Sequence, residues 1–341
     1  MKSRRKMNNN ILSLKENIPD IKDAKTFYIK KVSLKNFRNH INLNLNLTNS
    51  SILIYGGNGI GKTNILEAIS LLNQGKGLRK ANIENFLNQE KIIDITTKTW
   101  GVNVDFVSPN GKFNIGTGLK KTGSNKSRIA KINSDYTPLS SLGEILNISW
   151  ITPQICVLIL SSMSEKRRFI DRLTMSIDNL HLNRVYKYDK LFRQRNKILM
   201  QPNSDKTWLD TVESQISELS ISIIARRLDL IEELENLYDI QLKNNHLTEH
   251  FPSVGITING KIEQLLNEKP AVEVEDYIKS ELKKSRSDFE LSVSGPNNSI
   301  IEIFNRIDNK NLDTSSTGEQ KLILISIILS HARLLDEKFN M

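Results

Sequence analysis

The first third of the chain alternates apolar and polar positions, which is typical of β-structure. From Ile41 to Leu47 every second residue is apolar, and Tyr28 to Leu34 carries a similar pattern. Strict alternation places one face of a strand in the core and the other in water, so both runs are predicted strands. Four further short runs, divided by turn signals, predict a β-meander at 92–99, 101–107, 111–118 and 127–132.

The apolar period then changes to that of a helix. Two long, charge-rich stretches, 164–200 and 208–244, carry apolar residues at helical spacing and are separated by the polar segment 201–205. Both exceed the usual length of a globular helix, which predicts an antiparallel helical pair, a short coiled coil that projects from a globular body. Shorter elements return the chain to that body: a strand at 253–259, a helix at 274–285 and a strand at 289–294.

A glycine-rich segment lies between an apolar run at 51–55 and a helical pattern at 64–72. It fits G-x-x-x-x-G-K-[ST], and a strand before it with a helix after it is the context in which this motif binds phosphate. Lys62 would reach the β- and γ-phosphates, and Thr63 would hold Mg²⁺ through its hydroxyl. The predicted ATP cradle consists of Gly56, Gly57, Asn58, Gly59, Ile60, Gly61, Lys62 and Thr63. The alternative is a glycine-rich turn without a ligand.

The net charge of the chain predicts a second binding partner besides the nucleotide. The net charge is +10 and the pI is near 9.4, which favours a polyanion such as nucleic acid, although membranes and ribosomes are equally anionic. Basic residues concentrate in two places, and each is either a nucleic-acid contact or a solvated face. The meander tip has Lys120, Lys121, Lys126, Arg128 and Lys131, and the first helical arm has Arg184, Lys187, Lys190, Arg193, Arg195 and Lys197.

Composition also restricts the compartment. No apolar run approaches the roughly 18 residues of a membrane span, and residues 1–27 form a basic, Asn-rich leader without the apolar core of a secretion signal. The single cysteine, Cys156, excludes a disulfide within the chain and favours a reducing compartment. We therefore expect a cytoplasmic protein with a disordered leader.

Two further positions are candidates for the nucleotide site. Ser316 and Gly318 precede the most apolar helix, 322–329, where they form either a helix cap or a second anion site. Gln154 follows a predicted strand at 148–152, where it would contact either a bound Mg²⁺ and the attacking water or the start of a helix.

Four segments together resemble the ABC-type ATPases of the SMC family, and within them the RecF proteins of bacterial DNA replication and repair. These segments are LKNFRN at 34–39, GIGKTNILEAI at 59–69, RRFIDRL at 167–173 and STGEQK at 316–321. They span nearly the whole chain beyond residue 28, and the RRFID segment is more typical of RecF than of ABC ATPases generally.

The resemblance implies an α/β fold: an ABC-type P-loop ATPase head with an inserted helical arm. Residues 28–160 would form the first part of the head, 161–250 the arm, and 251–341 the second part of the head. In such families two heads sandwich two ATP molecules, so the loop of one subunit faces the Ser316–Gly318 motif of the other. Lys62 and, more loosely, Gln154 match catalytic positions. Implied partners are gapped or junction DNA, a second copy of the chain, and other recombination mediator proteins.

The chain departs from the family in two places. Asn297 and Asn298 follow the Gly-Pro turn where the family has histidine and basic residues, and the sequence stops at Met341, where an apolar strand ending in Asp-Glu is expected. Asp336 and Glu337 imitate that ending but continue the helical pattern, so we expect a solvated helix end and a C-terminally truncated copy. The leading hypothesis is a weak ATPase that binds DNA in replication and repair. The alternative is a truncated member that binds DNA or protein partners without hydrolysis.

Overall fold

The computed structural model describes residues 27–48, 51–73, 75–88, 99–152, 157, 159–160, 162–201, 205–244, 251–286 and 293–339. Several predictions concern positions outside these ranges. These are the leader except its last residue Phe27, Gln154, Cys156, nearly all of the strand at 92–99 and most of the strand at 289–294.

An antiparallel sheet forms the N-terminal lobe, with the strand order β2-β1-β3-β4-β5-β6. The predicted hairpin and the last three strands of the predicted meander are confirmed, since β1 pairs with β2 and β3 to β6 follow one another in chain order. The strands are β1 (Tyr28–Phe37), β2 (His40–Asn46), β3 (Gly101–Ser108), β4 (Gly111–Thr122), β5 (Asn125–Ile132) and β6 (Asp135–Thr137).

Helix α1 (Lys62–Ser70) packs against this sheet. Its residues Ile65 and Ala68 share a core with Val32 and Leu34 of β1, the apolar positions that the alternating pattern placed on the buried face. Helix α1 begins directly after the glycine-rich segment, so its packing on the sheet fixes where that segment lies.

The predicted strands at 51–55 and 148–152 are wrong for this structure. Neither run is paired into a sheet among the described residues, and Leu53 and Tyr55 are exposed, at 68% and 56%. Ile54 and Ile148 still pack against the core of the N-terminal lobe. Both runs have the apolar composition of a strand, but strand structure also requires a hydrogen-bonding neighbour, which the described residues do not provide.

The remaining elements are mainly helical. They are α2 (Leu142–Ile145), α3 (Met163–Met175), α4 (His181–Leu199), α5 (Lys206–Asn244), β7 (Val254–Asn259), α6 (Lys261–Glu268), α7 (Ala271–Lys284), β8 (Ile300–Asn305) and α8 (Thr317–Phe339). The second predicted arm helix, the strand at 253–259, the helix at 274–285 and the apolar helix at 322–329 are thereby confirmed. Asp336 and Glu337 lie exposed near the end of α8, as expected.

The first predicted arm helix is two helices rather than one. The chain breaks between α3 and α4, where the carboxylate of Asp178 accepts a hydrogen bond of 3.1 Å from the backbone N–H of Leu180. A short acidic side chain that bonds to the backbone two residues on favours a turn over a continuing helix. The break lets α4 turn back and pack on α5.

Two cores share helix α5. Its N-terminal half, from Leu209 to Ile224, packs with α4, α6 and α7 in the arm, and its C-terminal half, from Leu230 to Tyr238, packs with β7, β8 and α8 in the head. At 39 residues, α5 extends over about 58 Å. No described helix is both long and apolar enough to cross a membrane.

The RRFID segment lies on α3 and is structural. Asp171 is buried and accepts two hydrogen bonds from Arg227 of α5, at 2.8 and 3.0 Å, and one from His181 of α4, at 2.8 Å. Burial raises the pKa of the Asp171 carboxyl, but Arg227 and His181 reverse that effect and lower it overall. This cluster ties α3, α4 and α5 together at the base of the arm.

The Gly-Pro turn is held by the same region. Arg227 donates to the carbonyl of Pro296 at 2.8 Å, and Arg167 donates to the carbonyl of Ser299 at 2.9 Å. Asn297, where the resemblance leads us to expect a different side chain, donates to Asp189 of α4 at 3.1 Å. In this chain the turn therefore contacts the arm through an amide.

Candidate nucleotide-binding site

The glycine-rich segment folds as a loop that only glycine tolerates at several positions. Gly56, Gly59 and Gly61 have φ angles of 147°, 84° and 102°, in the region that other residues rarely adopt. The ammonium group of Lys62 donates to the carbonyls of Gly56 and Gly57, both at 2.7 Å. The loop therefore closes around the Lys62 side chain, and Thr63 is exposed beside it.

The β1–β2 turn contacts this loop from one side. The His40 Nε2 atom lies 3.2 Å from the Gly61 carbonyl, and the Asn39 amide donates to the Gly59 carbonyl at 3.4 Å. Asn64 of α1 donates to Asn39 at 2.8 Å. A Cβ atom at Gly61 would lie 2.5 Å from both the Asn39 and the His40 side chains. Gly61 is thus required for its backbone conformation and for the close approach of this turn.

A buried carboxylate fixes the same turn to α1. Glu67 of α1 receives two hydrogen bonds from Arg38, at 2.8 and 2.9 Å, and one from Arg79 at 3.0 Å. The Glu67 side chain is only 1% exposed. Arg38 also stacks over the ring of Phe86, with its central carbon 5.0 Å from the ring centre. A two-point pair of arginine with carboxylate fixes orientation as well as distance, so this pair holds the turn in register with the loop.

Sequence reasoning missed this pair. Arg38 and Glu67 each fall inside a segment that carries the family resemblance, but 29 positions separate them and no periodic pattern connects them. The available signal was a lone acidic residue on the apolar side of a predicted amphipathic helix, since a buried carboxylate needs a cationic partner.

The donors at the start of α1 suit a nucleotide phosphate. This helix has no side-chain cap, and the N–H of Asn64 already donates to the Gly61 carbonyl at 2.9 Å. The N–H groups of Lys62 and Thr63 are therefore available to an anion, next to the Lys62 ammonium and the Thr63 hydroxyl. No group of three or more His, Cys, Asp or Glu side chains able to hold a metal occurs among the described residues. Mg²⁺ typically binds through few protein ligands together with phosphate oxygens and water, so Thr63 with a bound nucleotide fits that ion.

The second motif is a self-contained helix cap. The Glu319 carboxylate accepts from the backbone N–H of Ser316 at 2.7 Å, and the Ser316 hydroxyl accepts from the N–H of Glu319 at 3.4 Å, which is a capping box. Hydrogen bonds from Lys310 and Ser316 lower the pKa of Glu319 to about 2. Gly318 is exposed, and no atom lies within 4 Å of where its Cβ would be. Packing among the described residues therefore gives no reason for a glycine at this position.

Helix α3 contacts the surroundings of both motifs. Glu165 pairs with Lys80, which follows α1, at 3.1 Å. The adjacent Lys166 is almost fully buried and donates to both carboxylate oxygens of Asp313, at 2.7 and 2.9 Å, three residues before Ser316. The first turn of α3 thus connects the region of the phosphate loop to that of the second motif.

The structure reduces the set of basic arm residues that are available to bind a polyanion. On the arm, Arg195 is buried and bound to Glu213 at 2.8 Å, and Arg184 pairs with Asp178, so neither is available. Four cations remain on the exposed side of α4 without an ion pair among the described residues: Lys187, Lys190, Arg193 and Lys197. We call these four residues the arm stripe.

Two of the basic residues predicted at the meander tip are also engaged within the chain. Arg128 donates to the carbonyls of Leu71, Asn73 and Gly75 at the end of α1, and burial lowers its pKa to about 10. Lys126 pairs with Glu84 at 2.9 Å. Arg128 therefore closes the C-terminal end of α1 rather than forming a free basic tip.

Comparison with known proteins places the chain in a family. The family described as "RecF/RecN/SMC N terminal domain" matches residues 28–339. The chain is 33% identical over 318 residues to the "DNA replication and repair protein RecF" of Mesorhizobium japonicum, covering 92% of this chain and 82% of that protein. The protein of the same name from Agrobacterium fabrum is 33% identical over 314 residues, covering 90% and 80% of the two chains.

Solved structures share the fold. One described as "Structure of the recombination mediator protein RecF-ATPrS in RecFOR pathway" has a TM-score of 0.76 and 22% identity, covering 92% of this chain and 83% of that chain. A second, of RecF-ATP, has a TM-score of 0.75 at 22% identity and covers 94% and 84%. The expected fold class, an α/β ABC-type ATPase head with an inserted helical arm, is thereby confirmed. This chain belongs to the RecF proteins, within the RecF/RecN/SMC family.

Proposed function

We propose that this protein is an ATP-dependent DNA-binding protein of replication and recombinational repair that acts in the cytoplasm. The observation that carries the proposal is the start of α1, where uncapped N–H groups, the Lys62 ammonium and the Thr63 hydroxyl lie together beside a loop of left-handed glycines. This arrangement binds the phosphates of ATP with Mg²⁺. The family of the chain and the names of its relatives support the role in repair.

In this proposal, the second motif of one subunit completes the nucleotide-binding site of another subunit. Ser316 and Gly318 start a helix whose cap is satisfied internally, and Gly318 is open to solvent. A glycine that no described contact requires is suited to the close approach of a ligand or a second copy. ATP then joins two copies, because each half-site contributes only part of the phosphate contacts. Gln154 would sense the metal and the attacking water, as the resemblance implies.

DNA is the polyanion in this proposal, with gapped or junction DNA as the preferred form and other recombination mediator proteins as partners. The arm stripe supports a DNA contact, because its four cations share one helix face and are not neutralised by described carboxylates. Phosphate contacts of this kind make affinity strongly salt-dependent.

Nucleotide binding is tested with a fluorescent ATP analogue and Mg²⁺. Lys62→Ala should weaken binding at least tenfold, since removal of a charge-assisted contact costs about 1.4 kcal/mol or more. Lys112→Ala, at an exposed lysine of β4, is the matched control and should bind as the wild type does. Equal affinity of both variants would refute the site.

DNA binding is tested by fluorescence anisotropy over a range of salt concentrations. Exchanging Lys187 and Lys190 together for glutamine should reduce the slope of log affinity against log salt by about 1 for each phosphate that is no longer bound. Lys112→Gln is the control, and an unchanged slope in the double variant would move the DNA contact away from the arm stripe.

Hydrolysis needs its own assay. Steady-state turnover that Lys62→Ala abolishes supports the ATPase hypothesis. Absence of turnover in the wild type, with nucleotide binding intact, supports the alternative of a protein that binds DNA or partners without hydrolysis.

A further inference from the structure

A cavity of about 880 Å³ lies between the N-terminal lobe and the arm. Its wall combines the end of α1 with the short helical turn at 83–86 and the first turns of α4. Leu71, Gly75, Ile83, Asn85, Asn183 and Tyr186 are among the residues that line it. A volume of this size is in the range of ligand pockets and has room for a nucleotide.

The cavity is separate from the phosphate loop. It begins at Leu71 and Gly75, beyond the C-terminal end of α1, whereas the loop precedes the first residue of that helix. Nine helical residues place the two ends of α1 about 13 Å apart. The bound ATP would therefore not fill this cavity.

Tyr186 is the exposed aromatic residue of the cavity wall. It is 56% exposed, and no hydrogen bond, ion pair or ring contact to its side chain occurs among the described residues. The neighbouring Tyr188 is buried in the arm core. Tyr136 is similarly exposed, but its ring is covered by the ammonium groups of Lys120 and Lys131, at 5.0 and 4.4 Å. Tyr186 thus has a ring surface that nothing in the described chain uses.

The cavity continues directly into the arm stripe. Tyr186 and Asn183 are exposed on the side of α4 that carries Lys187, Lys190, Arg193 and Lys197, at spacings of three and four residues. Residues at this spacing lie above one another on a helix. An aromatic ring at the mouth of a cavity is therefore followed by a row of cations.

The chemistry of the wall suits a base with its adjoining phosphate. Three backbone carbonyls already use the guanidinium of Arg128, and Glu84 pairs with Lys126, so the exposed ammonium of Lys76 is the cation of the described wall that can meet a phosphate. Asn82 and Asn85 are exposed amides in the same wall, able both to donate and to accept hydrogen bonds. Neutral amides with an aromatic face match the edge and the plane of a base, and the charged row outside matches a sugar-phosphate backbone.

We propose that this cavity binds an unpaired base of single-stranded DNA, stacked on Tyr186, while the backbone of that strand follows the arm stripe. The inference rests on the proposed DNA binding and adds to it a site that selects unpaired nucleotides. A base within a duplex is stacked on both sides and reaches such a cavity only after it is flipped out. The protein therefore prefers DNA with a single-stranded part.

The test uses the full chain with Mg²⁺-ATP and oligonucleotides that carry 2-aminopurine, either in a single strand or in the matched duplex. Tyr186→Ala should weaken single-strand binding at least about fivefold and duplex binding less than twofold, because one base-aromatic stack is lost. Tyr186→Phe keeps the ring and should retain wild-type affinity. The stacking-dependent quenching of 2-aminopurine should disappear in Tyr186→Ala and persist in Tyr186→Phe.

Tyr136→Ala is the matched control at another exposed tyrosine and should leave single-strand binding unchanged. Equal losses for single strand and duplex in Tyr186→Ala, or unchanged quenching, would overturn this inference while the proposed DNA binding stands. No binding of either DNA by the wild type would overturn the proposed function itself. Because Tyr186 is exposed, thermal unfolding should confirm that all variants fold.

Discussion

The phosphate loop and the second motif are both glycine-containing starts of helices, yet they are held in opposite ways. The loop depends on contacts from outside itself: the β1–β2 turn touches it, and Glu67 beneath it anchors Arg38 of that turn. The start of α8 satisfies itself through the reciprocal bonds of Ser316 and Glu319. A motif whose conformation depends on neighbouring segments is sensitive to substitutions far from it in the sequence. A self-capped motif instead leaves its glycine free for a partner.

The largest effect expected from this comparison is at Glu67. Glu67→Ala leaves Arg38 and Arg79 without their shared carboxylate, so the free energy of unfolding should fall by about 2–3 kcal/mol and ATP affinity should fall with it. Urea unfolding and nucleotide titration measure the two effects. Glu84→Ala is the matched control, because its pair with Lys126 is exposed and should contribute less than about 0.5 kcal/mol. Equal stabilities of the two variants would refute the anchoring role.

The next largest effect is expected for Gly61→Ala. Its φ of 102° and the 2.5 Å approach of Asn39 and His40 should together cost about 1–3 kcal/mol of stability, measured by thermal unfolding. Gly59→Ala separates the two causes, since Gly59 has a φ of 84° but no atom within 4 Å of where its Cβ would be. We expect a smaller loss there. A Gly59 variant as unstable as the Gly61 variant would show that backbone strain alone matters.

Gly318→Ala should affect association rather than folding. No contact or strained φ opposes a methyl group at this position, so the stability of the single chain should stay within about 0.5 kcal/mol of wild type. The ATP-dependent dimer that we propose, followed by sedimentation, should weaken. Reduced stability without any change in dimerisation would mean that Gly318 serves its own helix.

The smallest effect concerns the cap of α8. Because the pKa of Glu319 is lowered from 4.5 to about 2, its stabilising contribution is fully present above about pH 4.5 and is lost as the pH falls towards 2. The difference in melting temperature between wild type and Glu319→Gln should follow that course. A difference that is constant down to about pH 2.5 would contradict the cap.

The sequence predicted local structure well where one pattern decides it. Alternation predicted the hairpin and most of the meander, and glycine spacing with Lys62 and Thr63 predicted a loop whose strained glycines the structure contains. The run at 51–55 failed because strand structure also depends on a pairing partner, which composition does not contain.

Side-chain partners were less predictable. Arg195 looked like one more cation of a basic arm, but it faces Glu213 and the end of α7 inside the arm core. Arg128 and the pair of Arg38 with Glu67 likewise depend on elements far apart in the chain. Helical spacing indicates which residues share a face, and the fold decides whether that face meets water or another helix. The cavity beside Tyr186 is a product of the same assembly.

Helix α5 also constrains how the molecule is made. Its C-terminal half belongs to a core completed by β7, β8 and α8, which begin 10 to 73 residues after the helix ends at Asn244. During synthesis the apolar side of that half therefore emerges before the strands and helix that cover it. The arm core likewise needs α6 and α7. The arm core therefore needs the chain as far as α7, and the head core needs it as far as α8, so neither core can close around α5 when that helix is first made.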